Sequence, residues 1–240
     1  MPAPSQLFLE GKPRCLPSKS VRVAEIHFGS DLPGPFAAAQ VELCEAINKQ
    51  DMTAIKLLTK DSSLDVNFCA KNGDSPLGLA TELKNLGIMR CLLDSGAQGS
   101  VRGSVVPPPL VRAARTGWLD GVKLLLEHKC SPNAASPADG ETGMHCSTLE
   151  VAISKLLLDA GYDINRRDKK GRTALWVAMQ NGANWSTEAR VKLLLERKAD
   201  PNIPDIDGVT PLMIWSSQSW WSQQSFLEQQ FARLLKAGVD

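Results

Sequence analysis

The segment from residue 163 to residue 178 reads DINRRDKKGRTALWVA and contains a turn followed by the start of a helix. Residues 168–171 suit a chain reversal, because the glycine at position 171 adopts positive φ without strain. Thr173 can then cap a helix whose apolar positions include Leu175 and Ala178. The segment therefore predicts one structural unit, in which a projecting turn precedes a helix that buries one face.

The same pattern recurs at a regular spacing along the chain. The segments DVN at 65–67 and DPN at 200–202 are each followed by a glycine turn and then by Ser-Pro-Leu or Thr-Pro-Leu. Equivalent positions are 33, 33, 32 and 37 residues apart, and they are Asn67, Ser100, Asn133, Asn165 and Asn202. Apolar helices ending in leucine pairs keep the same period, and two markers with one period indicate a repeat protein.

These repeats resemble the ankyrin repeat, in which a β-turn is followed by two helices with a T-P-L-H-x-A core and a period of about 33 residues. The resemblance covers roughly residues 41–240. It implies an all-α ankyrin-repeat solenoid of about six helix-pair units with short β-hairpin loops, one unit being degenerate. One unit cannot bury its own apolar face, so Leu125 and Leu194 are expected to pack between neighbouring units.

The chain divides into a leader and an array of units. Residues 1–35 are expected to form an irregular N-terminal leader, because prolines interrupt them repeatedly. Unit one lacks a leading hairpin, which suits a capping repeat. The ankyrin-repeat array occupies residues 36–240, and its units one to six lie at about 36–66, 67–99, 100–132, 133–164, 165–201 and 202–240.

Unit four departs from the pattern, and two registers fit it. In the first register residues 147–152 open the unit, but only two residues separate them from the segment KLLL at 155–158, so about two helical turns are missing. In the second register residues 140–145 open the unit, and residues 149–158 form its second helix. Neither register allows a normal two-helix unit. We expect one long helix from about Thr148 to Ala160, preceded by an irregular loop.

Composition limits the class of protein. The 240-residue chain is 43% hydrophobic and 22% charged, which is ordinary for a globular protein, and its formal charge of +1 gives no reason to expect a nucleic-acid partner. No apolar run reaches the roughly 18 residues of a membrane span, and the N-terminus lacks a signal segment. The chain is therefore expected in the cytoplasm or the nucleus, without membrane contact or secretion.

Catalytic and metal-binding patterns are missing from the sequence. There is no phosphate-binding glycine loop, and three histidines leave little material for a catalytic dyad. His128, Cys130, His145 and Cys146 are ligand types that zinc accepts, but adjacent ligands rarely point at one ion. Unrelated surface histidines and inert thiols are the favoured interpretation. We therefore expect no enzyme activity, no cofactor and no metal ion in this chain.

The resemblance implies a protein–protein interaction scaffold or adaptor that binds a partner protein through hairpin tips and the concave face of the inner helices. At the tips, the family-like contact positions are Lys71, Asn72, Asp74, Lys169, Lys170, Arg172, Ile206, Asp207 and Val209. On the inner helices, these positions are Glu82, Leu83, Arg115, Thr116, Gln180 and Asn181. The repeat places all of them at equivalent positions, so they are expected to face one side.

Two sequence features bear on how this surface works. The basic run at 166–172 suggests contact with an acidic partner, although solvated side chains at a hairpin tip explain it more simply. Trp176 falls where the family has histidine, and apolar residues or glycine take that position in other units. The histidine link that joins neighbouring units in the family is therefore not expected here.

The C-terminal end suggests two further hypotheses. Trp220, Trp221 and Phe226 lie near the end of unit six, where no further unit follows, so an exposed aromatic patch and weak self-association through this uncapped end are expected. The same missing cap supports the alternative function, a regulatory or substrate-recruiting segment of a larger multidomain enzyme.

Overall fold

The computed structural model describes residues 35–217, except for 62–63, 71–72, 102, 147–149 and 182–184. Most of the predicted leader and the C-terminal end of unit six therefore lie outside the described residues. The helices within the described part are α1 (Pro35–Asn48), α2 (Met52–Leu58), α3 (Pro76–Glu82), α4 (Leu86–Asp94), α5 (Pro109–Arg115), α6 (Leu119–Glu127), a 3₁₀ turn (Gly143–His145), α7 (Val151–Asp159), α8 (Ala174–Gln180), α9 (Trp185–Glu196) and α10 (Pro211–Ser217).

The helices form two rows along the array. The first helices of successive units are α1, α3, α5, the 3₁₀ turn, α8 and α10, and each contacts the next in its row. The second helices, α2, α4, α6, α7 and α9, form the other row in the same way. This arrangement confirms the predicted all-α solenoid of helix pairs. Turns rather than extended strands connect the units, and the described residues contain a single β-bridge, between Ala135 and Thr142.

Serine and threonine begin the first helices of units two and five, as their sequence predicts. Ser75 Oγ accepts a hydrogen bond from the Gly78 amide at 3.1 Å, and Thr173 Oγ1 accepts one from the Trp176 amide at 3.2 Å. The first amides of a helix have no partner within it, so these side chains satisfy groups that would otherwise be unpaired. The glycine at 171 adopts the predicted positive φ, at 76°.

Unit four adopts the second of the two registers. Thr142 Oγ1 accepts a hydrogen bond from the Met144 amide at 3.3 Å and begins the 3₁₀ turn, which replaces the first helix. The second helix, α7, begins at Val151 and ends at Asp159, so the predicted helix from Thr148 to Ala160 is wrong in its extent. Few residues separate the 3₁₀ turn from α7, and they leave no room for two further turns of the first helix.

Buried leucines hold neighbouring units together. Leu125 and Leu194 are fully buried, as the repeat pattern predicts. Both belong to one apolar cluster that begins at Leu43 in unit one and continues to Ala199 in unit five. A fully buried leucine side chain contributes about 1.5–3 kcal/mol, so stacking supplies stabilisation that an isolated unit lacks. The shortened unit four does not interrupt this cluster.

A buried arginine completes the end of the 3₁₀ turn in unit four. Arg190, in α9 of unit five, is only 2% exposed. Its guanidinium donates hydrogen bonds to the carbonyl oxygens of Met144 and Cys146, the latter at 2.9 Å. In a longer helix these carbonyls would accept from amides of the following turn. Arg190 therefore replaces backbone donors that the missing turns would have supplied.

Candidate interaction surface

A row of asparagines links the start of a unit to its last residues, just before the next unit begins. Asn67 Oδ1 accepts a hydrogen bond from the Gln98 amide at 2.7 Å, and Asn133 Oδ1 accepts one from the Asp163 amide at 2.8 Å. Asn165 Oδ1 accepts the equivalent hydrogen bond from the Asp200 amide at 2.9 Å. The asparagines that mark the repeat in the sequence therefore fix the spacing between the hairpins of successive units.

Backbone hydrogen bonds also join the hairpin tips of units four, five and six. The Lys169 amide donates to the Asp139 carbonyl oxygen at 2.9 Å, and the Ile206 amide donates to the Lys170 carbonyl oxygen at 3.0 Å. A Cβ atom at Gly171 would lie 2.9 Å from the Ile206 amide nitrogen, so the close approach of these two tips requires glycine. The tips form a continuous row that is held by backbone atoms as well as by any bonds of the side chains.

Ring nitrogens tie each of two first helices to the next unit. His145 Nε2 lies 2.9 Å from the Arg172 carbonyl oxygen, and Trp176 Nε1 donates to the Val209 carbonyl oxygen at 3.0 Å. The assignment of His145 to the surface was wrong, since it is 2% exposed. The expected loss of the histidine link was wrong as well. Because Thr142 opens unit four, His145 falls in the family's histidine position, and the tryptophan performs the same role one unit later.

An ion pair connects units two and three. The Arg112 guanidinium donates to the two carboxylate oxygens of Asp74 at 2.7 and 2.8 Å, and to the Gly78 carbonyl oxygen at 3.3 Å. Gly78 occupies the histidine position of unit two, so here a side chain from the next unit supplies the link. Asp74, a predicted contact residue, is buried in this connection between units.

Arg172 is also directed into the array. Its guanidinium donates to Asp168 at 2.7 Å and to Glu141 at 3.1 Å, and it lies 5.5 Å from the centroid of the Trp176 ring. The expectation that all side chains of this hairpin tip are solvated was therefore wrong, because Arg172 and Asp168 bond to each other. Like Asp74, Arg172 contributes to the surface by fixing its geometry.

The other described tip residues lie on the surface. Lys169, Lys170 and Asp207 are exposed, Ile206 is 67% exposed, and Val209 is half-buried. They present alternating charged and apolar groups on adjacent tips of units five and six. Two predicted contact positions lie outside the described residues, namely Lys71 and Asn72.

The predicted inner-helix residues lie at the C-terminal ends of α3, α5 and α8. Glu82 and Arg115 are exposed and take part in links between units, with Glu82 lying 3.4 Å from Arg112 and Arg115 lying 3.6 Å from Glu141. The contact of α3 with α5 places the sets of units two and three side by side. The 3₁₀ turn separates these from the set of unit five. Of the remaining predicted residues, the exposed ones are Thr116 and Gln180, and the half-buried ones are Leu83 and Asn181.

Large apolar side chains are exposed in the same rows. Val105 at the hairpin of unit three and Ile206 at that of unit six are each 67% exposed, and Met213 in α10 is 56% exposed. Such groups are candidates for apolar anchors in a protein interface. The aromatic patch predicted around residues 220–226 lies outside the described residues.

Burial determines how the ionisable groups near unit four titrate. It lowers the pKa of His145, raises the pKa of the Cys146 thiol to about 11 and lowers the pKa of Arg190 to about 10. The thiol is therefore protonated at neutral pH and lacks the thiolate that nucleophilic chemistry requires.

Throughout the described ranges, no group of three or more His, Cys, Asp or Glu residues is arranged to hold a metal ion. No helix there has the length and apolar character needed to cross a bilayer.

Comparison with known proteins agrees with this architecture. The family described as ankyrin repeats (3 copies) matches residues 43–136 and 144–228. The nuclear factor NF-kappa-B p105 subunit of Gallus gallus is 32% identical over 145 residues, which cover 58% of this chain and 14% of that protein. L-asparaginase of Dirofilaria immitis is 28% identical over 175 residues, covering 71% of this chain and 28% of that protein.

A solved structure shares the fold over most of the chain. An ankyrin repeat domain from Acinetobacter baumannii matches with a TM-score of 0.69 and 25% identity, covering 82% of this chain and 98% of that domain. The match thus includes nearly all of that domain. By contrast, the chain spans only a minor part of the two curated relatives, 14% of one and 28% of the other.

Proposed function

The chain belongs to the ankyrin-repeat family, and from this premise we propose that it is a scaffold or adaptor that binds another protein. The binding surface consists of the hairpin tips and the exposed ends of the first helices. The observation that carries the proposal is the backbone bonding between tips, from Lys169 to Asp139 and from Ile206 to Lys170. Side chains on such a row are held at fixed spacing before a partner arrives, which reduces the entropy lost on binding.

The composition of the surface supports a protein partner. Ile206, Val105 and Met213 offer separate apolar side chains, and charged groups such as Lys170 and Arg115 lie in the same rows. Protein interfaces combine apolar anchors with a polar rim in this manner. Repeat arrays also use extended faces, because each unit contributes equivalent positions to one side of the stack. Ankyrin repeats are generally non-catalytic interaction modules, and the favoured function follows that pattern.

Site-specific photo-crosslinking in cells tests the proposed surface. A benzoylphenylalanine is introduced at Thr116, which is exposed at the end of α5, and in a matched variant at Lys123, which is exposed on the second helix α6. We expect discrete crosslinked proteins, identified by mass spectrometry, from the Thr116 position and none of them from the Lys123 position. Equal crosslinking from Thr116 and Lys123 would contradict the proposal. Absence of crosslinks from Thr116 and from a third variant, with benzoylphenylalanine at Lys170, would contradict it as well.

A second candidate is a regulatory or substrate-recruiting segment of a larger multidomain enzyme. Its support is the similarity to part of an L-asparaginase, of which the chain covers 28%. Immunoblotting of the endogenous protein with an antibody against this array distinguishes the two candidates. A native protein much larger than 26.0 kDa, carrying a catalytic domain in its mass-spectrometric peptides, supports the second candidate. A native protein of about 26.0 kDa eliminates the second candidate.

A further inference from the structure

We propose that the hairpin of unit five, residues 166–170, binds an acidic segment of the partner protein. The inference rests on the proposed function and specifies the chemistry of the partner at one position of the surface. This hairpin concentrates four cationic side chains within five consecutive residues, in a chain whose formal net charge is only +1. The bonds that these side chains make inside the protein explain why their charge remains available.

Among the described residues, two of the four cations bond only to neutral groups. Arg167 donates to the Gly171 carbonyl oxygen at 2.8 Å and to the Pro204 carbonyl oxygen at 3.0 Å. Lys169 Nζ donates to the Pro137 carbonyl oxygen at 2.6 Å. These hydrogen bonds hold the side chains in place, but a carbonyl dipole does not neutralise a full positive charge.

The other two cations form no ion pair within the described residues either. Lys170 is exposed, and Arg166 is half-buried with its Nε atom lacking a hydrogen-bond partner. In the described part of the chain, no carboxylate lies within 4.0 Å of a charged nitrogen of residues 166, 167, 169 or 170, whereas Arg172 forms ion pairs with two acidic groups. Within the described residues, the positive charge at this tip is therefore not paired directly with a carboxylate.

The single acidic residue of the hairpin is already fully occupied. The side chain of Asp168 is completely buried. Its carboxylate accepts hydrogen bonds from the Lys170 and Arg172 amides at 2.9 and 2.8 Å, and from Arg172 Nε at 2.7 Å. It closes the turn and fixes Arg172, so it cannot swing outward to neutralise the lysines. The sequence places an acid among the bases, but the structure uses that acid inside the array.

The surroundings of the hairpin favour an acidic peptide over nucleic acid. The neighbouring tips carry carboxylates, Asp139 on one side and Asp205 and Asp207 on the other, so the cationic zone is one hairpin wide. A phosphate backbone that continued to the next tip would meet like charges. Ile206, 67% exposed, lies beside Lys170 through their backbone hydrogen bond and offers an apolar contact to a side chain next to the acids. The occupant is therefore a short acidic segment that includes an apolar residue.

Fluorescence anisotropy with synthetic peptides tests this inference. The probe is a fluorescein-labelled peptide of Glu-Glu-Leu repeats, compared with Lys-Lys-Leu repeats of equal length and with a labelled oligothymidylate. The charge-reversal variant is K169E/K170E, and the matched control is K56E/K155E, which changes the net charge equally at exposed lysines of the second helices α2 and α7. K169E/K170E loses the Lys169 Nζ bond to the Pro137 carbonyl oxygen but keeps the backbone bonds between tips, so both variants are expected to fold, as checked by circular dichroism and urea unfolding.

We expect the chain to bind the Glu-Glu-Leu peptide and not the Lys-Lys-Leu peptide. K169E/K170E should weaken that binding about tenfold or more at low salt, while K56E/K155E should leave it unchanged. The difference should largely disappear at about 1 M salt, where the screening length is about 3 Å. Equal binding by both variants, absence of binding, or tighter lysine-dependent binding of the oligothymidylate would overturn the inference.

The crosslinking assay separates failure of this inference from failure of the proposed function. If the wild-type array gives Thr116-directed crosslinks but does not bind the acidic peptide, the array binds a protein but the assigned chemistry is wrong. If the crosslinks are absent from every tip and first-helix position, the proposed function itself is wrong. If K169E/K170E loses both the crosslinks and the peptide binding while the wild type and K56E/K155E keep them, the inference and the proposed function are both supported.

Discussion

Trp176 and His145 make the same contact in consecutive units of the array. The indole Nε1 of Trp176 donates to the carbonyl oxygen of Val209 at 3.0 Å, and the imidazole Nε2 of His145 lies 2.9 Å from the carbonyl oxygen of Arg172. Each of these carbonyls belongs to the residue before the threonine that precedes the first helix of the next unit. An aromatic N–H at this position therefore joins neighbouring units whether the ring is imidazole or indole.

Replacement of Trp176 by phenylalanine should weaken the junction of units five and six. The phenyl ring retains most of the apolar contact but leaves the Val209 carbonyl without its donor, which destabilises the protein by about 0.5–1.5 kcal/mol. Hydrogen exchange should accelerate at the amides of α10 in particular. Trp118→Phe is the matched control, because the Trp118 indole makes no hydrogen bond to a described residue. Equal effects of the two substitutions would contradict the role of the indole N–H.

Stability should depend on the protonation of His145. Burial lowers the pKa of His145 in the folded state, and the Arg190 and Arg172 charges act in the same direction. In the unfolded chain the pKa of His145 is about 6.5, so the unfolded state binds the proton more tightly than the folded state. The contribution of neutral His145 to the free energy of unfolding is therefore fully present above about pH 7 and is lost as the pH drops through about 6.5. Urea midpoints measured from pH 7.5 to 5 should fall more steeply for the wild type than for His145→Gln. Parallel curves would rule out this contribution.

Removal of the Arg190 guanidinium should destabilise the junction of units four and five. In Arg190→Met the carbonyl oxygens of Met144 and Cys146 lose their donors within a buried site, at about 1–3 kcal/mol for each. Removing a buried charge offsets part of this loss, so we expect a net destabilisation of about 2 kcal/mol. The effect is measured by urea unfolding.

A control on the same helix tests whether burial is responsible. Lys192→Met changes an exposed residue of α9 and should alter stability by no more than about 0.5 kcal/mol. A similar small effect of Arg190→Met would show that water or neighbouring groups replace the guanidinium. An additional early unfolding transition in Arg190→Met would show that this side chain couples the two halves of the array.

An asparagine at position 100 should stabilise the array. Ser100 occupies the asparagine position of unit three, and its side chain makes no hydrogen bond to the end of that unit within the described ranges. By analogy with Asn67 and Gln98, an asparagine here would accept from the Ser131 amide. Ser100→Asn should therefore raise the free energy of unfolding by about 0.5–1.5 kcal/mol, and Asn133→Ser should lower it by a similar amount. A destabilising Ser100→Asn would mean that unit three holds its neighbour at a different spacing.

Truncation of a stacking leucine should have a large effect. Leu125 is fully buried, so Leu125→Ala should lower the free energy of unfolding by about 2–5 kcal/mol. Leu57 is 72% exposed on α2, and Leu57→Ala should change stability by no more than about 0.5 kcal/mol. Thermal unfolding followed by circular dichroism gives both values. Similar losses from the two substitutions would show that Leu57 is covered in solution.

Local chemistry made much of the fold predictable. Thr173 caps α8 and Gly171 adopts positive φ because these requirements act within a few residues, and the sequence states them directly. The burial of Leu125 and Leu194 followed from period alone. The choice of register in unit four did not, because both Thr142 and the segment at 147–152 resemble an opening motif. Only the packing of the whole unit selects between them.

Contacts between units were the part that sequence reasoning missed. Arg190 bonds to carbonyls more than 40 residues earlier, and its role exists only because unit four lacks two helical turns. Arg172 and Asp74 were predicted as surface contacts from their positions at hairpin tips. Arg172 pairs with Glu141 of unit four and Asp74 pairs with Arg112 of unit three, and a single repeat does not reveal such partners. A search for opposite charges one period apart, such as Asp74 and Arg112, is the signal that could have found such links.

The bonding of one hairpin tip to the next through main-chain atoms divides the positions of this surface by their freedom to vary. At 170 and 206 the carbonyl or amide maintains the row, so a change of side chain alters what the surface presents and leaves its framework intact. At Gly140 and Gly171 any side chain would collide with the adjoining tip. Duplicated copies of such a chain can acquire new binding preferences through single substitutions at the permissive positions. None of these evolutionary steps requires a variant that fails to fold.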